Sequence, residues 1–210
     1  MKRGVLITFE GVECSGKSTQ AKALARWLAE KDLPHIFVRD PGTTQIGENI
    51  RKILLNPRLG NMHAKCEVLL FLAARSQLTY EKLLPAIREK QIVVCDRFAD
   101  STYAYQTYAR NLPARLVAVF NRFAAAGIKP DLTFLVDIDV AAAQKRGVGG
   151  DRMEAEKTEY HERVRDGYLK LAHRAKKRIR VLDGTLPVEA LHQQVVAAAG
   201  DLLLRKGYRL

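Results

Sequence analysis

Short runs of apolar, often β-branched residues alternate along the chain with longer segments whose apolar positions recur at a helical period. The run Ile92-Val93-Val94-Cys95 is apolar throughout, as is typical of a strand covered on both faces of a parallel sheet. This alternation predicts an α/β fold in three layers, with a five-stranded parallel sheet between helices. The predicted strands lie near 4–10, 35–39, 92–96, 132–138 and 179–183.

The helical pattern occupies the segments between these strands. Pro113 and Pro187 suit helix starts, and Gly127 suits a stop. The predicted helices lie at about 17–31, 44–55, 64–84, 101–109, 113–126, 140–146, 154–177 and 187–206. Right-handed crossovers bring the carboxyl ends of parallel strands to one edge of the sheet, and we expect ligands to bind there.

The length of 210 residues suits one domain, residues 1–210, and no repeat or long linker divides it. A hydrophobic share of 47% with 28% charged residues argues against disorder. The N-terminal segment lacks a signal-peptide core, and no apolar run approaches the roughly 20 residues of a membrane span. Cys14, Cys66 and Cys95 form no paired spacing, which suggests a reducing compartment, and Cys66 and Cys95 are expected in the core. We therefore expect a cytoplasmic protein without membrane contact.

The net charge of +12 has two interpretations. It favours either a nucleic-acid partner or a site for several phosphates. The densest basic run, Arg174–Arg180, falls at the end of a predicted helix, where cations complement the helix dipole. No aromatic-rich basic motif accompanies that run, so no nucleic-acid partner is expected.

A glycine-rich loop carries the strongest motif. Gly11 to Ser18 matches the pattern G-x-x-x-x-G-K-[ST], with a predicted strand before it and a predicted helix after it. In such a P-loop the backbone N–H groups and the helix N-terminus surround phosphate oxygens. Lys17 then reaches the outer phosphates, and the Ser18 hydroxyl ligates Mg²⁺. The predicted ATP-binding residues are Gly11, Val12, Glu13, Cys14, Ser15, Gly16, Lys17, Ser18 and Thr19.

The loop alone does not identify the reaction. The guanine motif Asn-Lys-x-Asp of GTPases is missing, and the third strand ends in Asp96-Arg97 rather than the Asp-Glu of motor ATPases. Arg39 ends the second strand, and Arg75 follows Phe71 by four residues, on one helix face. Three arginines and an aromatic ring at one sheet edge would hold a nucleoside monophosphate with a stacked base.

Over nearly its whole length the chain resembles the thymidylate kinase family, whose fold is that of the P-loop NTPases. The similar segments, in chain order, are Phe9-Glu10-Gly11 with the loop, Arg39–Thr43, Leu70–Gln77, Asp96-Arg97-Phe98 with Ser101, Tyr105 and Gln106, Pro130–Asp137, Asp151–Glu154 and Tyr160–Leu169. Asp40 and Thr43 stand where the family usually has glutamate and glycine.

The resemblance implies transfer of a phosphoryl group from ATP to dTMP, with Mg²⁺, within a homodimer. For the base, the resemblance assigns Phe71 to stack on thymine, Arg75 to hydrogen-bond its outer carbonyl, Leu54 to line the pocket, and Thr102, after Ser101, to face its polar edge. For the sugar, it assigns Tyr105 to press on the deoxyribose and Glu13 to meet the 3′-hydroxyl. It assigns Arg39 and Arg97 to clamp the acceptor phosphate, and Asp96 to help position Mg²⁺.

A lid is expected at about 145–154. Some members of the family carry an arginine after the acidic residue of the phosphate loop, and here that position is Cys14. The charge must then come from elsewhere, and the glycine-rich lid offers Arg146 and Arg152. We favour Arg152 as the catalytic arginine beside Lys17 and Arg97, with Arg146 as the second choice or as a cover for adenine.

His161 is expected on a helix surface. His161-Glu162 does not begin a zinc-binding H-E-x-x-H motif, because Arg165 occupies the position of the second histidine.

Two alternatives stay open at this point. One is a kinase for another nucleoside monophosphate or for a deoxynucleoside, although Arg39 and Arg97 favour a monophosphate. The other, from a different class, is a nucleic-acid-stimulated ATPase, which only the basic charge supports.

Overall fold

The computed structural model describes residues 3–147 and 150–210. Its centre is one sheet of five parallel strands in the order β2-β3-β1-β4-β5. The strands are β1 (Val5–Glu10), β2 (His35–Arg39), β3 (Ile92–Asp96), β4 (Leu132–Asp137) and β5 (Ile179–Asp183). The predicted α/β fold is confirmed, and the strand bounds differ from the predicted ones by no more than one residue.

Helices cover both faces of the sheet. In the described residues they are α1 (Lys17–Glu30), α2 (Gln45–Leu55), α3 (Ala64–Leu78), α4 (Leu84–Arg88), α5 (Ala99–Thr102), α6 (Ala114–Ala124), α7 (Val140–Arg146), α8 (Thr158–Arg174) and α9 (Val188–Lys206). A 3₁₀ turn spans Pro57–Leu59, and π-helical segments span Thr79–Leu83 and Tyr103–Ala109. Pro113 and Pro187 directly precede α6 and α9, as predicted.

Alternate residues of the central strand, β1, pack on opposite faces of the sheet. Val5, Ile7 and Phe9 of β1 pack with α1 and α9, whereas Leu6 packs with Leu78, Leu83 and other residues on the opposite face. Every residue of β1 and of β3 is buried. This explains why both strands are apolar along most of their length.

Three helix predictions need correction. The helix predicted at 154–177 begins only at Thr158, because Asp151 Oδ1 accepts the backbone N–H groups of Met153 and Glu154 and closes a turn there. The helix predicted at 64–84 ends at Leu78 and continues as a π-helical segment, and the one predicted at 101–109 is mostly π-helical. Part of the expected lid, residues 148–149, lies outside the described residues.

The burial of the cysteines agrees only in part with the prediction. Cys95 is buried in β3, as expected, but Cys66 is exposed in the first turn of α3. That helix turns Val68 and Leu72 toward the protein instead. Among the described helices, none has both the length and the apolar character needed to cross a membrane.

Candidate functional site

The phosphate loop lies at the carboxyl edge of the sheet, between the end of β1 at Glu10 and the start of α1 at Lys17. Gly11 has φ +143°, and a Cβ there would stand 2.5 Å from the Val136 carbonyl oxygen. Gly16 has φ +95° at the helix start. Both positions therefore require glycine, and the chain turns into α1 with its first N–H groups unpaired by side chains.

A cavity of about 490 Å³ opens next to this loop. Most of the predicted site residues border it: Glu13, Cys14, Lys17, Ser18, Arg39, Phe71, Arg75, Asp96, Arg97, Ser101, Thr102 and Tyr105. The structure thus brings together residues that lie as far apart in sequence as the phosphate loop and α5. Phe71 and Arg75 face the same space, as their spacing on one helix predicts.

Cations converge on this cavity. Lys17 is 7% exposed, and burial and the charge of Arg97 lower its pKa to about 8. Burial, Arg39 and Arg97 likewise lower the pKa of Arg51, which also borders the cavity. Because these positive charges oppose one another, an anionic ligand would relieve their repulsion.

Arg51 is a site residue that sequence reasoning missed. It projects from α2 and donates through Nη1 to the Pro41 carbonyl, which aligns it with the loop that follows β2. The available signal was its place in the helix directly after Arg39–Thr43, three residues after Glu48.

Glu48 organises the loop after β2. It accepts two hydrogen bonds from Arg39 Nη2, at 3.0 and 3.1 Å, and one from the Thr43 N–H at 2.7 Å. Thr43 has φ +67°, which explains why glycine suits this position. Nε and Nη1 of Arg39 make no hydrogen bond within the described chain, so this arginine keeps donors for a ligand.

Arg75 is 1% exposed and nearly saturated with hydrogen bonds. Nε donates to Asp40 at 2.6 Å, Nη1 to Thr102 and Asn121, and Nη2 to the Phe98 carbonyl at 3.0 Å. Four of the five N–H groups of an arginine are then used within the described chain, which leaves one on Nη2, and Arg75 borders the cavity. Asp40 therefore serves as the buried counterion of Arg75.

Arg97 ties the phosphate loop to the third strand. It has φ +67°, donates through Nη1 to the Gly11 carbonyl at 2.9 Å and through Nη2 to Glu13 Oε1 at 3.0 Å. The Tyr105 hydroxyl donates to the same Glu13 oxygen at 2.5 Å. Burial raises the pKa of Glu13, but Arg97 and His161 outweigh it, so the pKa lies well below its usual range. Glu13 is thus a fixed carboxylate at the cavity wall.

Glu10 is a second site-forming residue that the sequence reasoning did not assign. Its buried carboxylate accepts the Phe98 N–H at 2.9 Å, the Ser101 hydroxyl at 2.6 Å and the Tyr168 hydroxyl at 3.0 Å. Burial, followed by repulsion from Asp100, raises the pKa of Glu10 to about 7. Glu10 holds the strand end on which Arg97 sits.

Several predicted residues lie outside the cavity wall. Leu54, expected to line the base pocket, is fully buried, and its neighbour Leu55 borders the cavity instead because α2 turns Leu54 inward. Thr19 is exposed on α1. Arg146 donates to the Gly184 carbonyl at 2.9 Å.

The side chain of Arg152 is buried and is held by two other parts of the chain. Its guanidinium lies 2.7 Å from Glu67 Oε2 and donates through Nε to the Leu54 carbonyl at 2.7 Å. Its neighbours Asp151 and Met153 border the cavity, whereas the Arg152 side chain does not. The ion-pair partner of Arg152 is thus Glu67 of α3, and not the neighbouring acidic residues Asp151 and Glu154.

The prediction that His161 lies on a surface is also wrong. It is 5% exposed, and its Nδ1 lies 3.5 Å from Glu13 Oε2. The helical pattern alone did not reveal this contact, since Glu13 lies far away in sequence.

The residues proposed for Mg²⁺ suit a hard cation. Asp96 Oδ1 is buried without a hydrogen-bond partner in the described chain, and both Asp96 and Ser18 border the cavity. A carboxylate and a hydroxyl oxygen are the donor types that Mg²⁺ prefers. The described residues contain no group of three or more acidic, histidine or cysteine side chains that could hold a metal ion by themselves.

A phosphate loop at the carboxyl edge of a five-stranded parallel sheet, facing an arginine-rich cavity with an aromatic wall, defines a P-loop nucleotide kinase. The sequence profile of the thymidylate kinase family matches residues 9–195. The chain therefore belongs to the thymidylate kinase family, and the substrate that it phosphorylates is dTMP.

Individual relatives agree with the family match. The chain is 44% identical over 205 residues to thymidylate kinase of Pelotomaculum thermopropionicum, covering 96% of this chain and 95% of the relative. It is 43% identical over 195 residues to thymidylate kinase of Kosmotoga olearia, covering 91% and 93%. The crystal structure of thymidylate kinase from Ehrlichia chaffeensis superposes with a TM-score of 0.78 at 30% identity, covering 94% of this chain and 99% of that one.

Proposed function

We propose that the chain transfers the γ-phosphoryl group of ATP, in the presence of Mg²⁺, to the phosphate of dTMP, giving dTDP and ADP. The observation that carries this proposal is a single cavity that borders both Lys17 of the phosphate loop and the set Arg39, Phe71, Arg75 and Arg97. One cavity with these two walls would bring a donor phosphate and an acceptor phosphate together.

On the donor side, the backbone N–H groups of residues 11–17 and the ammonium group of Lys17 would bind the ATP phosphates. Ser18 and Asp96 would hold Mg²⁺, which would neutralise charge on the β- and γ-phosphates. Gly11 and Gly16 adopt backbone conformations that allow the close approach of phosphate.

On the acceptor side, Arg39 and Arg97 would clamp the dTMP phosphate, with Arg51 added from the structure. A phosphate oxygen of dTMP attacks the γ-phosphorus, and the bond to the β,γ-bridging oxygen breaks to release ADP. That oxygen is already anionic, so no strong base is needed. Alignment and charge neutralisation by Lys17 and these arginines supply the catalysis.

Selection of the base is assigned to Phe71, Arg75 and Thr102. The free N–H on Nη2 of Arg75 would donate to the outer carbonyl of thymine, and the ring of Phe71 would stack on the base. Tyr105 and Glu13 would contact the sugar. Ser101 already donates to Glu10, so we propose for it a supporting role at the acceptor site.

Arg75→Ala tests base recognition. We expect KM for dTMP to rise at least about tenfold, the loss of one hydrogen bond to a charged group, while KM for ATP changes little. The variant should also melt at a lower temperature, because Asp40 is left buried without its counterion. Steady-state kinetics with each substrate varied, below the melting temperature, give the two values.

Arg75→Lys is the matched control for that experiment. It keeps a positive charge beside Asp40 but lacks the planar guanidinium group. Its melting temperature should therefore return closer to the parent value than its KM for dTMP does. An equal rise of both KM values, or a rise for ATP alone, would mean that Arg75 does not recognise the base.

We also propose a homodimer formed through α3 and α6. These two helices pack against each other and expose apolar side chains on their outer faces: Leu69 is 56% exposed, Val119 64% and Phe123 78%. Apolar side chains concentrated on one pair of helices are typical of an interface between subunits.

Phe123→Asp should give a monomer, because it places a charge in the centre of the proposed interface. Light scattering after size exclusion should find twice the 23.6 kDa chain mass for the parent protein and one chain mass for the variant. Leu204→Asp is the control, since Leu204 on α9 is 56% exposed and lies on another helix. A parent protein of one chain mass would contradict the dimer.

We propose the cytoplasm as the location. Cys14, Cys66 and Cys95 are free thiols, which is typical of proteins in a reducing compartment. Secretion of the protein with its thiols oxidised would contradict this.

A coupled ADP-release assay tests the proposed function against its alternatives. We expect the highest kcat/KM with dTMP among a panel of nucleoside monophosphates, and little turnover with thymidine. ATP hydrolysis stimulated by DNA or RNA in the absence of dTMP would instead favour the nucleic-acid-dependent ATPase that the net charge of +12 suggested.

A further inference from the structure

Glu13 borders two cavities, which also share Cys14 and Glu154. On one side lies the large cavity, and on the other a smaller one of about 180 Å³, bordered by α7 and by His161 of α8. His161 therefore stands behind Glu13, on the side away from the dTMP residues. It is buried although its helix is largely polar, which calls for a role in the fold or in the site.

The two oxygens of the Glu13 carboxylate have different surroundings. Oε1 accepts hydrogen bonds from Arg97 Nη2 at 3.0 Å and from the Tyr105 hydroxyl at 2.5 Å. Oε2 is buried and makes no hydrogen bond within the described chain, and His161 Nδ1 faces it at 3.5 Å. Without His161, only one of the two oxygens would be fixed.

The groups around His161 favour its protonated form. The carboxylate of Glu13, which faces the ring, raises the pKa of His161 most. The backbone carbonyls of Glu154 and Glu156 raise it further, while burial lowers it. Tyr160 packs edge-on at 5.6 Å between ring centres. Across Glu13, the charges of Arg97 and Lys17 also act on the carboxylate.

Protonation matters because it changes the number of donors on the ring. The imidazolium donates from both nitrogens, so it can serve Glu13 and the backbone carbonyls at once. The neutral ring has a single N–H for the two of them.

We propose that His161 is a positioning residue. It orients the Glu13 carboxylate and thereby sets how strongly the site prefers a nucleotide with a 3′-hydroxyl over one without it. This inference rests on the proposed role of Glu13 toward that hydroxyl. A site built to accept a hydrogen bond from a hydroxyl rejects an analogue without it, because the buried acceptor is left unpaired. That rejection needs a carboxylate that cannot turn away.

The test compares kcat/KM for dTMP with kcat/KM for 3′-deoxythymidine monophosphate, from about pH 5.5 to about pH 9. The ratio of the two cancels the titration of the phosphate, which both nucleotides carry. In the parent protein the preference for dTMP should fall as the pH rises through the His161 pKa. In His161→Asn it should be at least about tenfold smaller at low pH, and it should not depend on pH.

His173→Asn is the matched control, because His173 is exposed near the end of the same helix and should leave the preference unchanged. If His161→Asn does not fold, His161→Gln and the pH profile of the parent protein carry the test. A preference that is flat with pH in the parent protein, or unchanged in a folded His161 variant, overturns the inference.

Glu13→Gln separates this inference from the function on which it rests. If Glu13→Gln keeps the full preference for dTMP, Glu13 does not recognise the 3′-position, and both that role and the inference are wrong. If Glu13→Gln loses the preference while His161→Asn keeps it, the role of Glu13 stands and the inference about His161 alone is overturned.

Discussion

Lys17→Ala should lower kcat by at least about 10²–10³, because it removes a positive charge that would face the transferring phosphoryl group inside a water-poor cavity. Within the described residues, Lys17 Nζ donates to the Val12 carbonyl alone, at 3.1 Å, and Lys17 borders the large cavity. Its pKa of about 8 shows that burial and Arg97 make this charge costly. The variant should therefore be at least as stable as the parent protein.

The measurement for Lys17→Ala is kcat together with the melting temperature. Lys31→Ala is the matched control, since Lys31 is exposed at the end of the same helix and should change neither value. A folded Lys17→Ala protein with near-normal turnover would remove Lys17 from the proposed mechanism.

Arg152→Ala is expected to have the second large effect. We propose that Arg152 leaves Glu67 when nucleotide binds and supplies the charge that Cys14 cannot. An arginine of this kind is worth about 10³–10⁵ in other kinases and GTPases, so kcat should fall at least about a hundredfold, with little change in dTMP binding. Steady-state kinetics of Arg146→Ala, measured alongside, test the second lid arginine.

The variant Glu67→Gln distinguishes a direct role of Arg152 at the phosphoryl group from a role in anchoring the turn that follows the lid. Glu67 also holds Arg110, at 3.0 Å, so the variant keeps Arg152 but weakens the buried network that binds it. If Arg152 acts on the phosphoryl group, Glu67→Gln should keep kcat within a few-fold. A loss equal to that of Arg152→Ala would show that Arg152 works by anchoring the turn that follows the lid. No loss in Arg152→Ala itself would leave the lid as a cover only.

Local patterns predicted the strands and the phosphate loop because each is encoded in a short run of neighbouring residues. The apolar runs of β1 and β3 are buried on both faces, so their sequence carries the whole signal. The loop needs glycine at positions 11 and 16 because of positive φ angles, and the motif records that need.

Predictions failed where a side chain is held by a distant part of the chain. The sequence predicts His161 on a helix surface, whereas the fold buries it beside Glu13, and no local pattern indicates that Arg152 pairs with Glu67. Arg51 was missed for the same reason, since only the folded loop after β2 brings it to Arg39 and Arg97. Helical periodicity also cannot foresee a turn closed by one aspartate, as at Asp151.

The most direct test of the central claim follows the transferred group itself. The protein is incubated with ATP labelled in its γ-phosphate, Mg²⁺ and dTMP, and the labelled products are separated. We expect the label to appear in the β-phosphate of dTDP, in an amount equal to the ADP formed, and we expect Lys17→Ala to form almost none. Label released as inorganic phosphate while dTMP stays unchanged would contradict it.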